Sequence, residues 1–134
     1  IENIDDIEIL SYQNELFQVI LNLFSNSIDV LSSSQIENKI IYIKIYHDEN
    51  NLYIEFLDNG GGIKDEFINR VFEPYFTTKH KSQGTGIGLY MSLQIVTKHL
   101  NGEISVKNDT FIENNTAYFG AKFTILLPIH LQKN

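Results

Sequence analysis

Apolar residues recur at helical spacing early in this 134-residue chain, over residues 14–31. One stripe at this spacing consists of Leu16, Ile20, Leu23 and Ser27. The stripe beside it consists of Phe17, Leu21, Phe24, Ile28 and Leu31. The pattern predicts an amphipathic helix over 14–31.

The remaining face of this helix is polar and almost uncharged. Its members lie three or four residues apart and are Gln18, Asn22, Asn26 and Asp29. A solvent-exposed face is one interpretation, although asparagine is a poor helix former and Glu, Lys or Gln would be more usual there. Because amide oxygen is a hard ligand that suits Mg²⁺, the face is also a candidate metal-binding face. Both interpretations stay open at this point.

Two segments that follow alternate with period two, which predicts strands over 41–46 and 52–56 joined by a polar hairpin loop at 47–51. Extending the second strand places Asp58 on its apolar face. A carboxylate at that position is unfavourable unless a group donates to it. Asp58 is therefore either a turn residue of an Asp-Asn-Gly sequence or a recognition group for a ligand amine, such as N6 of adenine.

The rest of the chain predicts a short helix at 63–70 and a helix at 86–100, with a polar segment at 77–83 that we expect to form a mobile lid. The long helix places Leu89, Leu93, Val96 and Leu100 on its core side and is expected to stop at Asn101-Gly102. Strands are predicted at 103–107 and 119–127, separated by a polar loop at 109–116. This order predicts a two-layer α/β (α+β) sandwich, in which a mixed, mostly antiparallel sheet packs against about three helices.

Composition narrows the class of protein. Hydrophobic residues make up 43% of the chain, which is long enough for one globular domain over 1–134. No apolar run reaches the roughly 18 residues that span a bilayer. The net charge of −7 argues against a nucleic-acid surface, and the absence of cysteine excludes disulfides and thiolate metal sites. Because the chain begins with isoleucine, we expect it to be a piece of a longer protein.

Two glycine clusters carry the candidate chemistry. The first is Asp58-Asn59-Gly60-Gly61-Gly62-Ile63, and the second is Gly84-Thr85-Gly86-Ile87-Gly88-Leu89. The second cluster opens a predicted helix, where backbone N–H groups and the positive end of the helix dipole favour phosphate binding. One such cluster is weak support, since glycines also make ordinary turns. Two clusters downstream of an asparagine-bearing helix predict a nucleotide-binding domain.

With these elements in order, the chain resembles the catalytic, ATP-binding domain of bacterial two-component sensor histidine kinases. This Bergerat-type domain belongs to the superfamily of DNA gyrase B, mismatch-repair ATPases and heat-shock chaperones. Residues 18–27 resemble the asparagine box of the family, and 58–63 resemble the first glycine box. The phenylalanine box corresponds to 72–79, the second glycine box to 84–89 and the closing strand to 120–128. The Phe-Thr-Thr-Lys sequence at 76–79 favours the kinase branch of the superfamily.

The resemblance implies ATP and Mg²⁺ as cofactors and assigns site residues. Asn26 is the implied Mg²⁺ ligand, Asp58 the implied acceptor from adenine N6, and Asn22, Arg70 and Lys79 the implied catalytic residues. Arg70 is equally open to being part of a surface salt bridge. The implied nucleotide-binding residues are Asn22, Asn26, Asp58, Gly60, Gly62, Ile63, Phe72, Thr77, Thr78, Lys79, Gly84, Thr85, Gly86, Ile87, Gly88 and Leu89.

Asn22 bears on the type of reaction. In hydrolytic members of the superfamily a glutamate activates water one turn before the metal ligand, whereas an amide takes up no proton near neutral pH. The resemblance therefore implies transfer of the γ-phosphoryl group to a histidine on a separate dimerisation domain. The protein is expected to be cytoplasmic, or the cytoplasmic part of a membrane-bound sensor, and to serve a response regulator. The full-length protein is expected to be a homodimer and the isolated domain a monomer. The alternatives are a degenerate nucleotide-binding module and an anti-sigma-type serine kinase.

Two features depart from the family pattern or lie outside it. Ala121 stands where the closing strand often has Thr or Ser, so a hydroxyl that supports the adenine-binding aspartate is absent. The histidines are His47, His80, His99 and His130, and none lies in the sequence context of a phosphoacceptor. Of these, His80 in the predicted lid is the candidate for a phosphate contact.

Overall fold

The computed structural model describes residues 13–76 and 87–129, and the backbone alone of residues 7–8 and 130–131. Two helical segments pack on one face of an antiparallel sheet, which confirms the predicted two-layer α/β sandwich. The helices are α1 (Gln13–Ser32), α2 (Asp65–Ile68) and α3 (Gly88–Gln94), and a π-helix (Ile95–His99) continues α3. The strands are β1 (Ile7–Glu8), β2 (Ile41–His47), β3 (Asn51–Asp58), β4 (Glu103–Glu113), β5 (Thr116–Pro128) and β6 (His130–Leu131).

The main sheet has four strands in the order β2-β3-β5-β4, and β1 pairs with β6 in a separate two-stranded sheet. Both hairpins lie in the main sheet, and β3 joins them by pairing with β5 from Asn51↔Pro128 to Leu57↔Lys122. Every pairing among the described strands is antiparallel, so the described part of the sheet has no parallel component that would make it mixed.

The core lies between this sheet and the helices. Phe56 and Phe123, which are directly opposite each other on β3 and β5, are each 1% exposed. Val19 and Leu23 of α1 cover them from the helical layer together with Val96 and are fully buried. Burying one such side chain stabilises the fold by about 1.5–3 kcal/mol, so this contact is what holds α1 against the sheet.

Helix α1 has the predicted position, but its buried row matches neither predicted stripe, because it takes Leu31 from the second stripe and includes Val19, which belonged to neither. The buried residues are Val19, Leu23, Ser27 and Leu31. The remaining members of the second predicted stripe form an exposed row that we call the α1 apolar stripe, comprising Phe17, Leu21, Phe24 and Ile28, with 38–61% of each residue exposed. A helix that packs on a single sheet face buries only one arc of its circumference, and two adjacent stripes are wider than that arc.

The other helices are shorter than predicted. Helix α2 spans only four residues, whereas 63–70 was predicted, and turns follow it as far as Tyr75, which has a φ of 65°. Helix α3 changes to π-helical geometry at Ile95, and the π-helix ends where Asn101 adopts a φ of 54°. The predicted stop at this position is therefore confirmed, with asparagine rather than glycine in the left-handed conformation.

The second hairpin contradicts the predicted loop at 109–116. Strands β4 and β5 pair without interruption to Glu113↔Thr116, and Asn114 and Asn115 form the two-residue turn with φ values of 51° and 62°. Two successive positive φ angles are the requirement of a type I′ hairpin turn, which asparagine tolerates. Residues 108–121 thus form a two-stranded extension beyond the part of β5 that pairs with β3, and we call it the β4–β5 arm.

Candidate functional site

Asp58 ends β3 on the apolar face of the sheet, as its spacing predicted, and only 2% of the residue is exposed. Its Oδ1 accepts hydrogen bonds from the backbone N–H groups of Gly60, at 2.9 Å, and Ala121, at 3.4 Å. No side chain of the described residues donates to this carboxylate. Burial raises the pKa of Asp58, and the two backbone hydrogen bonds offset only part of that effect. The described residues therefore leave the second oxygen of Asp58 without a donor.

Glycines surround Asp58 because the backbone approaches too closely for a side chain. A Cβ atom on Gly60 would lie 2.6 Å from Cγ1 of Val30 in α1, and one on Gly120 would collide with the carbonyl oxygen of Asp58. Gly62 has a φ of +83°, which side chains rarely adopt, and a Cβ there would lie 2.8 Å from Asn108 Oδ1. The glycines at 60, 62 and 120 are thus required sterically.

Asparagine side chains hold the loop over 59–63 from two sides. On one side, the buried Asn59 donates to the carbonyl oxygen of Asn38 at 2.6 Å and accepts from the N–H of Ile40 at 2.8 Å. On the other, Asn108 exchanges two hydrogen bonds with the backbone of Ile63. Neither Asn59 nor Asn108 was predicted to be a site residue. Asn108 lay just outside a segment predicted as a loop, and no local pattern indicated its partner.

The amides of α1 lie between this loop and the start of α3. Asn22 Nδ2 donates to the carbonyl oxygen of Gly88 at 3.2 Å and to Ser92 Oγ at 3.1 Å, and Asn22 Oδ1 accepts from Gln18 at 2.8 Å. Two turns later, about 12 Å along the helix, Val30 packs beside Gly60. Asn26 lies midway on this face and is half-buried. The structure thus brings Asn22, Asn26 and Gly88 to one side of the molecule with the Asp58 loop.

The donor set available for a metal ion is sparse. Among the described residues, no group of three or more His, Asp or Glu side chains could hold a metal ion. The amide of Asn26 therefore fits Mg²⁺ only as one ligand among several, the others coming from a bound ligand such as a phosphate chain.

Arg70 and Phe72 make contacts within the protein. Arg70 Nε lies 3.3 Å from Glu73 Oε1 and the guanidinium carbon lies 4.5 Å from the centre of the Phe76 ring, so the surface salt bridge considered for Arg70 is present. Phe72 packs edge-on against Phe123, with ring centres 6.1 Å apart, and so anchors this segment to the core.

Ile63 and Leu89 pack against the core cluster, and Ile87 directly precedes α3. The remaining predicted site residues lie outside the described residues and are Thr77, Thr78, Lys79, Gly84, Thr85 and Gly86, as does the predicted lid at 77–83 with His80.

A two-layer sandwich with a buried aspartate among glycines and an amide-bearing helix is typical of α/β ATP-binding domains. Over residues 11–131 the chain matches the family described as histidine kinase-, DNA gyrase B-, and HSP90-like ATPase. It belongs to that family.

Relatives and solved structures agree with this assignment. The chain is 35% identical to the probable C4-dicarboxylate sensor kinase of Halalkalibacterium halodurans, over 86% of this chain and 20% of that protein. It is 37% identical to sporulation kinase A of Bacillus subtilis, over 85% of this chain and 17% of that protein. The chain therefore spans about a fifth of the length of these relatives.

In structure, the chain is similar to the nucleotide-free catalytic domain of histidine kinase ThkA, with a TM-score of 0.69, 26% identity, and coverage of 90% of this chain and 70% of that one. The mycobacterial sensor histidine kinase MprB has a TM-score of 0.73 at 22% identity, covering 94% and 78% of the two chains, and supports the fold alone. Within the described ranges, no helix is both long enough and apolar enough to cross a membrane.

Proposed function

We propose that this domain binds Mg-ATP and donates the γ-phosphoryl group to a histidine on a separate dimerisation domain, as the catalytic part of a two-component sensor histidine kinase. The observation that carries the proposal is Asp58, a buried carboxylate whose donors are two backbone N–H groups and which has no cationic partner among the described residues. Such a group is unfavourable without a further hydrogen-bond donor, which a ligand can supply. The exocyclic amine of adenine is a donor of this kind.

The Mg²⁺ ligand in this proposal is Asn26. When bound with ATP, the ion would neutralise phosphate charge, and the described residues offer no cluster of acidic or histidine side chains that would hold it without the phosphates. Asn26 lies one turn from Asn22 and one turn from Val30, so it faces the space between the Gly60 loop and the start of α3. An amide there adds a neutral ligand without adding to the negative charge of a triphosphate.

Asn22 supports transfer rather than hydrolysis. Its amide cannot accept a proton near neutral pH, and its two polar atoms are already bonded to Gln18, Gly88 and Ser92. In this proposal Asn22 positions the start of α3, which follows the second glycine cluster, and activates no water. A site without a base holds its ATP until an acceptor arrives.

The partner surface in this proposal is the α1 apolar stripe. Its members are spaced four, three and four residues apart, which is the spacing at which one helix packs along another. Residues 16–28 carry no charge, although the whole chain has a net charge of −7. We assign this stripe to the helices of the phosphoacceptor domain, because an extended uncharged row suits another apolar helix better than a charged surface.

The same proposal places the domain in the cytoplasm, where ATP is available, with a response regulator receiving the phosphoryl group from the dimerised full-length protein. It assigns no acceptor role to the histidines of this chain. In the described part, His47 lies at the end of β2 and His99 on the exposed side of the π-helix.

Titration calorimetry of Asn26→Ala tests the nucleotide and metal assignment. The variant should weaken binding of ATP in the presence of Mg²⁺ and have a smaller effect on ATP in the presence of EDTA. Asn14→Ala is the matched control, since Asn14 is an exposed asparagine of the same helix. Equal affinity of the wild type and Asn26→Ala for Mg-ATP would refute the metal assignment.

Reconstitution tests the transfer step and the stripe together. The isolated domain should neither label itself nor hydrolyse ATP at a useful rate, and adding the dimerisation domain of its parent protein should produce acid-labile phosphohistidine. Leu21→Glu should reduce this labelling while leaving ATP affinity unchanged. Efficient ATP hydrolysis by the isolated domain, lost in Asn22→Ala, would place the chain in the hydrolytic branch instead.

A further inference from the structure

The β4–β5 arm contacts three consecutive residues of the Asp58 loop. The N–H of Gly61 donates to the carbonyl oxygen of Phe119 at 3.2 Å. Gly62 lies so close to Asn108 and Phe119 that a Cβ atom on it would be 2.8 Å from each side chain. Ile63 then pairs with Asn108. The arm therefore forms one wall of the loop, although the two segments are 45 residues apart in sequence.

The pairing between Asn108 and Ile63 uses both functions of the side-chain amide. The N–H of Ile63 donates to Asn108 Oδ1 at 2.8 Å, and Asn108 Nδ2 donates to the carbonyl oxygen of Ile63 at 2.7 Å. Only a side chain with a donor and an acceptor on one planar group can pair in this way with a single backbone residue. Both polar backbone groups of Ile63 are therefore held where no strand or helix holds them, because α2 begins only at Asp65.

This pairing bears on Asp58 through the intervening backbone. Gly60, two residues after Asp58, donates to Asp58 Oδ1, so a shift of the loop also shifts a hydrogen bond of the carboxylate. Gly61 and Gly62 have φ values of 91° and 83°, and glycine has wide conformational freedom when nothing fixes it. Without the contact at Ile63, the part of the loop beyond the Gly61 hydrogen bond to Phe119 would sample other conformations.

We propose that Asn108 is a positioning residue for the nucleotide base: it fixes Ile63 and thereby the loop that presents Asp58. The inference rests on the proposed function, since it takes the Asp58 loop to be the adenine site. Asn108 itself acts through Ile63 and is assigned no contact with the nucleotide. The β4–β5 arm is on this account part of the nucleotide site, although it contributes no ligand.

The test compares Asn108→Ala with Thr110→Ala, a control two residues further along the same face of β4, where Thr110 is exposed. ADP binding is measured by calorimetry and GDP binding by competition with a fluorescent ADP analogue. Removing two hydrogen bonds should weaken ADP binding by roughly fivefold to thirtyfold in Asn108→Ala. GDP should be affected less, so the preference for adenine should fall, while Thr110→Ala behaves as wild type.

Amide hydrogen exchange supplies a residue-level readout in the absence of nucleotide. Exchange at Ile63 should become faster in Asn108→Ala, and exchange at the buried strand residue Phe56 should not change if the variant is folded. Asn108→Asp is the second variant, in case the alanine variant does not fold. It keeps the acceptor for the N–H of Ile63 but loses the donor to its carbonyl oxygen, so ADP binding should again weaken.

The outcomes separate this inference from the function on which it rests. If the wild type binds no adenine nucleotide, the proposed function is wrong and the inference falls with it. If the wild type prefers ADP and both Asn108 variants retain that affinity and preference, only the inference is overturned. An equal loss of ADP and GDP affinity would also overturn it, because that result indicates general destabilisation.

Discussion

Two buried carboxylates lie three residues apart on β3, on opposite faces of the sheet, and the groups that contact them differ. Glu55 faces away from the helices and is 9% exposed. It accepts a hydrogen bond from the Tyr46 hydroxyl at 2.8 Å and lies 3.7 Å from Lys122 Nζ, which also pairs with Asp109 at 3.0 Å. The negative charge of Glu55 is therefore balanced by a cation and a hydroxyl of the protein itself.

Asp58 faces the helices, is more deeply buried than Glu55 and has no such cation among the described residues. Its donors are backbone N–H groups, and burial raises its pKa. A buried charge that is paired internally contributes to structure, whereas one that is left partly unpaired is unfavourable until a ligand satisfies it. On the proposed function, Glu55 stabilises the sheet and Asp58 binds the nucleotide, and three substitutions can test this.

The largest effect is expected for nucleotide binding by Asp58→Ala. Losing a hydrogen bond to a charged group in a buried pocket should weaken ADP binding by about 1.5–3 kcal/mol, which is roughly 10- to 150-fold. GTP should compete poorly with ATP in the wild type, since guanine presents a carbonyl where adenine presents the amine. Calorimetry with ADP, and competition with GTP, measure both quantities.

The control for this prediction is Glu55→Gln, which changes the other carboxylate on the same strand and should leave ADP affinity as it is. The distinction between the two carboxylates fails if Asp58→Ala binds ADP like the wild type, or if both substitutions weaken binding to the same extent.

How well the sequence predicted the positions of these two carboxylates depends on how far apart in sequence the interacting residues lie. The face on which Asp58 lies follows from counting by two along β3, and the same counting places Glu55 on the opposite face. The order of helix, hairpin, helix and hairpin likewise depends on local periodicity and turn residues. These predictions are confirmed, because the pattern of a strand or helix is determined mostly by its own residues.

The incorrect or missing predictions involve partners distant in sequence. Polar residues from Asp109 onwards resembled a loop, yet they continue β4 because β5 pairs with them and Asn114-Asn115 turns tightly. The exposure of the α1 apolar stripe depends on how α1 sits on the sheet. The two hydrogen bonds between Asn108 and Ile63 form only because β4 and the Asp58 loop are adjacent in the fold. Periodicity along the chain does not indicate that these two segments are neighbours.

The second prediction concerns stability. Because the pKa of Asp58 is raised in the folded protein, its contribution to stability is present at low pH and is lost as the pH rises through the folded pKa. Asp58→Asn removes this charge at similar shape and should stabilise the nucleotide-free protein near neutral pH by about 1 kcal/mol. The gain should disappear at acidic pH, where the wild-type carboxyl is protonated.

Urea unfolding of both proteins across this pH range, without nucleotide, measures the difference. Added ADP should stabilise the wild type more than Asp58→Asn. The difference in unfolding free energy between the two proteins should therefore become smaller or change sign when ADP is present. A variant that is less stable than the wild type at neutral pH would contradict the view that the Asp58 charge is unfavourable in the empty site.

The smallest effect is expected for Glu55→Gln at neutral pH. Glutamine can still accept a hydrogen bond from Tyr46, and Lys122 keeps its ion pair with Asp109, so the loss in unfolding free energy should be at most about 1 kcal/mol.

The effect of Glu55→Gln becomes visible at alkaline pH, because burial, with the hydrogen bond and charge of Glu55, raises the pKa of Tyr46 from 10.0 to about 12. A raised folded pKa means that stability is lost as the pH rises from 10.0 to about 12. In Glu55→Gln the pKa of Tyr46 should fall part of the way, since burial remains, and the alkaline loss should be shallower. Ring NMR of Tyr46, assigned with Tyr46→Phe, measures this pKa, and an unchanged value would show that Glu55 carries no effective charge at this position.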